Sequence, residues 1–365
     1  MPNLLIVTYI DFWQMSAGHR SRLTSLISYF QDKVSITIVY SGAFNDGDSK
    51  IIKRHFPEIT MEVLSDQGIT YKEFEERFEV YIRDKKYHFA LIEYIEMSFV
   101  LPYLDSKCIT LLDTHDLVAN RIESFKENKL PYDGVQLTAE EELSIFKCFD
   151  YIIAIQKTDY LSLNKEIETG RLLLVPHPSN FSKKELKQEV KNIGFVASAY
   201  LPNIDGINWF LENIWSILSL EFAITLNIYG HVCQGISKSH VEKYKRVRLH
   251  GFISELSDVY ANCDVMINPV KCGAGLKIKN IEAMGNGLPL ITTSHGSLGI
   301  EDGVNKSFIS ADTPEAFINS LTELILRYDF RKMIADNAYA YAEGHFSEKK
   351  CYQPLSEIFL GHGTE

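Results

Sequence analysis

The chain has 365 residues, more than twice the length of a common single domain, so two domains are expected. Hydrophobic residues at 45% and charged residues at 23% exclude a disordered or fibrous chain. Thirty-seven Lys and Arg against 48 Asp and Glu leave a formal charge of −11, which argues against nucleic-acid partners, whose binding rests on neutralising phosphates. No run approaches the ~20 apolar residues of a membrane span, and Met1-Pro2-Asn3 offers no basic leader region. Six cysteines, at positions 108, 148, 233, 263, 272 and 351, form no CxxC pair and no metal-site spacing. They read as reduced, mostly buried thiols of a cytoplasmic protein.

In chain order, apolar runs at 4–9, 34–40, 89–94, 109–112, 151–155 and 172–175 read as strands. Helical patterns at 20–30, 71–83 and 139–148 lie between them. Short all-apolar strands alternating with helices predict βαβ units and a parallel sheet covered on both faces. Asn45-Asp46-Gly47-Asp48 is a turn signal after a strand; its Asp-x-Asp pair is the competing metal reading, with no second ligand evident. Glu140-Glu141-Glu142 reads as the solvated first turn of a helix, where carboxylates complement the dipole. Pro176-His177-Pro178-Ser179-Asn180 cannot continue a central strand, and the charged run 183–191 reads as a linker.

The pattern then restarts, with strands at 193–197, 224–229, 247–249, 265–267, 290–292 and 308–309. A helix is expected from 204 with Asn203 or Asp205 as N-cap, and a last helix from the N-cap Ser347 through 360. The fold class is α/β: two Rossmann-like doubly wound domains, 1–175 and 176–345, facing a cleft where ligands of such folds bind.

Residues 268–293 read as strand, glycine turn, helix, glycine stop and strand. Gly273 and Gly275 let the backbone approach a ligand closely. The free N–H groups of the helix they feed favour an anion such as a diphosphate. Lys277, in the first turn, opposes the helix dipole unless an anion sits nearby. Ile278, Ile281 and Met284 mark the buried side, while Lys279 and Glu282 share a neighbouring face. A carboxylate one and a half turns behind a phosphate is placed to accept both hydroxyls of a ribose. The plainer reading is a βα turn with a surface Lys279–Glu282 pair.

This segment resembles the donor-binding motif of GT-B glycosyltransferases, the family-four-like enzymes called glycosyl transferases group 1. The residues that carry the resemblance are Pro269, the 273–275 loop, Glu282-Ala283-Met284 and Gly287-Leu288-Pro289. It implies that Glu282 holds the ribose of a nucleotide sugar. Gly273, Ala274, Gly275 and Leu276 would line the sugar and diphosphate, with Lys277 and Lys279 supplying positive charge. Ala274 stands eight before Glu282, where the common pattern has a first glutamate. The resemblance further implies donor contacts at Gly230, which ends a strand, and at Ile253 in His250-Gly251-Phe252-Ile253, similar to the segment that meets the base. For His231 and His250 themselves, local hydrogen bonds are the competing reading.

In the first domain, Gly18 corresponds to the turn that passes the diphosphate. Arg20 and Arg22 would meet an anionic acceptor or phosphate, or serve as surface charge. His115 and Asp116, ending Leu111-Leu112-Asp113-Thr114-His115-Asp116, are similar to the family's His-Asp facing the donor sugar and are the catalytic candidates. An ordinary helix N-cap by Asp113 or Asp116 competes with that role. Residues 346–365 would cross back over the first domain.

The function implied is sugar transfer from a nucleotide-diphosphate sugar to a hydroxyl acceptor, glycan or lipid-linked, in polysaccharide biosynthesis. Retention of configuration, no metal and no cofactor are expected, with UDP as the nucleotide. The location implied is the cytoplasm, with contact at the inner membrane face for a lipid-linked acceptor. Two alternatives stand beside it: a non-catalytic scaffold for a partner transferase, and a nucleotide-sugar epimerase of the same fold. Nicotinamide binding is disfavoured, because no strand leads into Gly-x-Gly-x-x-Gly.

Overall fold

The computed structural model describes residues 1–14, 17–65 and 67–361. Residues 15–16 of the first βα turn (9–22) and 362–365 of the final segment lie outside the described residues. The first seven strands are β1 (Asn3–Thr8), β2 (Ser35–Tyr40), β3 (Thr60–Val63), β4 (Phe89–Glu93), β5 (Ile109–Asp113), β6 (Tyr151–Ala154) and β7 (Leu172–Leu174). They form one sheet in the order β3-β2-β1-β4-β5-β6-β7, and every pairing is parallel. The next six are β8 (Asn192–Val196), β9 (Thr225–Tyr229), β10 (Val247–Gly251), β11 (Val265–Asn268), β12 (Leu290–Thr292) and β13 (Ile309–Ser310). These make a second parallel sheet, ordered β10-β9-β8-β11-β12-β13. Both orders reverse direction beside their first strand, which opens a crevice at the carboxyl ends of the strands.

Side-chain alternation explains why the central strands are apolar throughout. Leu4 and Ile6 of β1 join one core with Leu91 and Leu111. Leu5 and Val7 point the other way, to a second core with Ile92 and Leu112. The helix Glu348–Gly361 closes the first of these cores with Tyr352, Leu355 and Phe359, and the Tyr352 hydroxyl donates to Ser25 Oγ at 2.9 Å. The chain's last helix therefore packs on the first domain.

Several local expectations need correction. β3 was not anticipated, because its Thr-Met-Glu-Val run is an edge strand with no buried residue and so lacks the all-apolar signature. The helix expected from 204 spans Leu201–Phe210, with Tyr200 at the N-cap position and Pro202 in the first turn. Pro lacks the N–H a cap would need and fits that first turn, so Asn203 and Asp205 lie inside the helix. Glu140 and Glu141 are exposed, but Glu142 is buried and accepts N–H groups from Val118 and Ala119 at 2.7 and 3.2 Å. It caps the neighbouring helix Val118–Glu127, which has no side-chain cap from its own N-cap residue. Asp48 closes a capping box with Asn45 and accepts from Trp13 Nε1 at 2.7 Å, so its carboxylate serves the helix start. The six cysteines are free; four are buried, Cys148 is exposed and Cys233 lies between.

The domains also touch. The Gly273 N–H donates to Ser124 Oγ at 3.0 Å, and Thr158 Oγ1 donates to Glu301 Oε1 at 2.7 Å. Tyr200 packs a tilted ring on Phe125 at 5.8 Å.

Candidate active site

A cavity of about 430 Å³ lies between the two sheets. From the second domain it is lined by Gly230, Ile253, Gly273, Ala274, Gly275, Leu276, Lys277, Lys279 and Glu282. From the first it is lined by Gly18, Arg22, His115 and Asp116. Residues chosen from three loops of one domain and two of the other thus share one wall-to-wall space. Arg20 is not among the lining residues and pairs with Asp11 at 2.5 Å.

The helix that carries the motif is Ile278–Gly285, with Lys277 at its N-cap position rather than in its first turn. Ile281 and Met284 are buried as the periodicity predicts, whereas Ile278 turns toward the cavity, where a Cβ on Gly18 would lie 3.2 Å from its Cδ1. Lys277 Nζ donates to the carbonyls of Ala274 and Gly275, at 3.1 and 3.0 Å. Lys279 Nζ donates to Asn203 Oδ1 at 2.7 Å and lies 4.9 Å from the Phe195 ring centre. Both ammonium groups are held by neutral oxygens. Burial lowers the Lys277 ammonium to about 8, and burial together with Lys277 lowers Lys279 to about 7.

Glu282 accepts from the Tyr260 hydroxyl at 2.6 Å, and burial raises it to about 7. Lys279 and Glu282 therefore take separate partners instead of forming a surface pair. Tyr260 is nearly fully buried and holds one carboxylate oxygen of Glu282, which itself lines the cavity.

Gly275 explains why glycine stands in the loop. Its φ is +72°, and a Cβ there would lie 2.8 Å from the His115 carbonyl oxygen of the opposite domain. Gly275→Ala is expected to cost at least about 1 kcal/mol from the backbone alone and to push the domains apart. Thermal denaturation and small-angle scattering test this; an unchanged melting temperature and radius of gyration would show the contact to be dispensable.

On the first-domain side, His115 has φ +58° and is 6% exposed. Its Nε2 lies 2.6 Å from Glu93 Oε2, and its ring stacks on Tyr94 at 4.0 Å. The carboxylate beside it in sequence, Asp116, instead forms an ion pair with Arg121 at 2.5 Å. Arg22 is 1% exposed, and its Nε donates to Asp113 Oδ2 at 2.7 Å. Burial and the Asp113 charge raise Glu93, while His115 and Arg22 oppose that rise. His250 bonds Asn227 Oδ1 at 2.9 Å and stacks on Tyr229, and His231 stacks on Phe252.

Glu93, Tyr94, Arg121, Ser124, Asn203 and Tyr260 were absent from the sequence-based candidates. Glu93 alone carried a usable signal: it ends an otherwise apolar strand, Phe89–Glu93, buried at every position.

Residues 190–327 match the family model described as glycosyl transferases group 1. The whole chain has the GT-B fold: it superposes on sucrose-phosphate synthase from Thermosynechococcus elongatus with a TM-score of 0.77, covering 99% of both chains at 13% identity. It superposes on HepE of Anabaena, solved in complex with UDP and glucose, with a TM-score of 0.67. That match covers 98% of this chain and 99% of HepE at 14% identity. An uncharacterized 44.6 kDa protein in the cps region of Klebsiella pneumoniae is 26% identical over 289 residues, 74% of each chain. Among the described residues no helix is long and apolar enough to cross a membrane.

Proposed function

We propose that this chain transfers a sugar from a nucleotide-diphosphate donor to a hydroxyl acceptor, as a glycosyl transferase of group 1. The observation that carries it is the pair of lysines, Lys277 and Lys279, at the start of a helix facing the interdomain cavity, whose hydrogen bonds among the described residues go to neutral oxygens. Two desolvated ammonium groups so placed favour an anion in the cavity, and the positive end of the helix dipole adds to that preference. Glu282, further along the same helix, takes the ribose hydroxyls. HepE, of like fold, was solved with UDP and glucose, and UDP is the nucleotide we assign.

The lysines and loop amides would stabilise the leaving diphosphate, and closure of the domains would exclude water. We further propose retention of configuration without a metal or separate cofactor, His115 at the donor sugar, and a growing polysaccharide, free or lipid-linked, as acceptor. The Klebsiella pneumoniae relative in a cps region supports that acceptor class.

Calorimetry with UDP, GDP, ADP, CMP and dTDP tests the reading. UDP is expected to bind selectively, and Glu282→Ala to weaken it roughly tenfold to hundredfold, the worth of hydrogen bonds to a charged group. With 2′,3′-dideoxyuridine diphosphate the two proteins should bind alike. If no nucleotide binds the folded protein, the scaffold reading takes precedence.

A further inference from the structure

We propose that Glu93 is the positioning residue of His115, holding its Nε2–H so that Nδ1 is the ring nitrogen offered to a substrate hydroxyl. The inference rests on the transferase reading of the cavity.

Four observations carry it. First, the Glu93–His115 bond is short, 2.6 Å, and both side chains are buried, at 1% and 6% exposed. Second, the adjacent carboxylate cannot substitute. Asp113 sits in register with Glu93 on the neighbouring strand, but its Oδ2 accepts from Arg22 at 2.7 Å. Third, the imidazole is clamped from its face: Tyr94 stacks on it at 4.0 Å and 15°, and Tyr9 stacks on Tyr94 at 5.4 Å. Fourth, Tyr94 and His115 both have left-handed backbones, with φ of 68° and 58°. Non-glycine residues keep such angles where the surroundings over-determine them, as sites that must be held in place do.

The chemistry follows from the partner. In the proposed pairing Glu93 Oε2 accepts the hydrogen of Nε2, which leaves Nδ1 as the ring's acceptor. His115 lines the cavity, so the acceptor faces a hydroxyl-bearing ligand. Asp113 Oδ1 and Glu93 Oε1 lack protein partners, and the ligand-type atoms of Glu93, Asp113 and His115 lie within 4.8 Å of one another.

The test has two readouts. In protein labelled with ¹⁵N-histidine, the His115 ring nitrogens of the wild type should show the Nε2–H tautomer, and Glu93→Gln should populate the other. A wild-type ring protonated at Nδ1, or one whose two nitrogens shift on adding Zn²⁺, would overturn the proposal. This readout needs no turnover, so it stands apart from any failure of the transferase reading. In the transfer assay, Glu93→Gln should lower kcat roughly tenfold to hundredfold, part of what a positioned acid or base supplies, with the donor KM little changed. In a His115→Ala background the same substitution should have no further effect, since the two act as a unit. Additive losses would make Glu93 a purely structural carboxylate. If Glu93→Gln fails to fold, the wild-type tautomer decides alone.

Discussion

Arg22→Met is expected to cost about 3–5 kcal/mol of stability, the penalty for stranding one member of a buried ion pair. Arg22 and Asp113 are 1% and 0% exposed at the side chain, joined at 2.7 Å. Methionine fills much of the arginine's volume, so the loss measures charge and not a cavity. The stranded Asp113 would then sit beside the Glu93 carboxylate, its neighbour in strand register, with no cation between them. Removing both charges should be far milder: Arg22→Met with Asp113→Leu is expected to recover most of the loss, because the pair's attraction only offsets its desolvation. Chemical denaturation followed by hydrogen exchange of β1 and β5 amides reads this directly. A single-variant loss below about 1 kcal/mol would show that water reaches the pair.

The ion pair also marks the limit of what could be read from sequence. Alternating apolar strands and helices placed twelve of the thirteen strands among the described residues, because parallel sheets buried on two faces leave near-continuous apolar runs. The thirteenth, β3, lies at an edge and has no such run. The donor loop was equally legible, since glycines at positive φ, lysines and a helix start follow one another within a few residues. The first-domain half was not. Arg22 looks like a helix-start surface charge, yet its helix is pinned with that side chain over the sheet. Glu93 and His115 are 22 residues apart and meet only because β4 and β5 pair. Asp116 is adjacent to His115 in sequence, but Arg121 one turn on holds it away. Contacts made through strand register leave no local trace in a single sequence.

Lys279→Met is expected to do two opposite things: raise the melting temperature of the ligand-free protein and weaken UDP binding by tenfold or more. The ammonium is desolvated and close to Lys277, with the Glu282 charge opposing both, and it donates to Asn203. Its folded value of about 7 lies below the ordinary 10.5. The unfolded chain therefore binds more protons between these limits, and stability rises with pH across that window. The penalty is full below pH 7 and vanishes above 10.5, so the gain from Lys279→Met should be largest at neutral pH and below. A diphosphate reverses the balance by favouring the charged form of both lysines, each such hydrogen bond being worth about 1.5–3 kcal/mol. At pH 8 the free protein has Lys277 near half-protonated and Lys279 mostly neutral. Binding UDP should accordingly take up on the order of one proton, read as a dependence of calorimetric heat on the buffer's ionisation enthalpy. Glu282 is already largely ionised there, so its ribose contacts release little to mask the uptake. A variant that lost both stability and affinity would mean that Lys279 serves the fold, and a heat independent of buffer would mean that the lysines are charged before the nucleotide arrives. Stability given up at two desolvated cations, and recovered when an anion binds, is what a site built for a diphosphate requires.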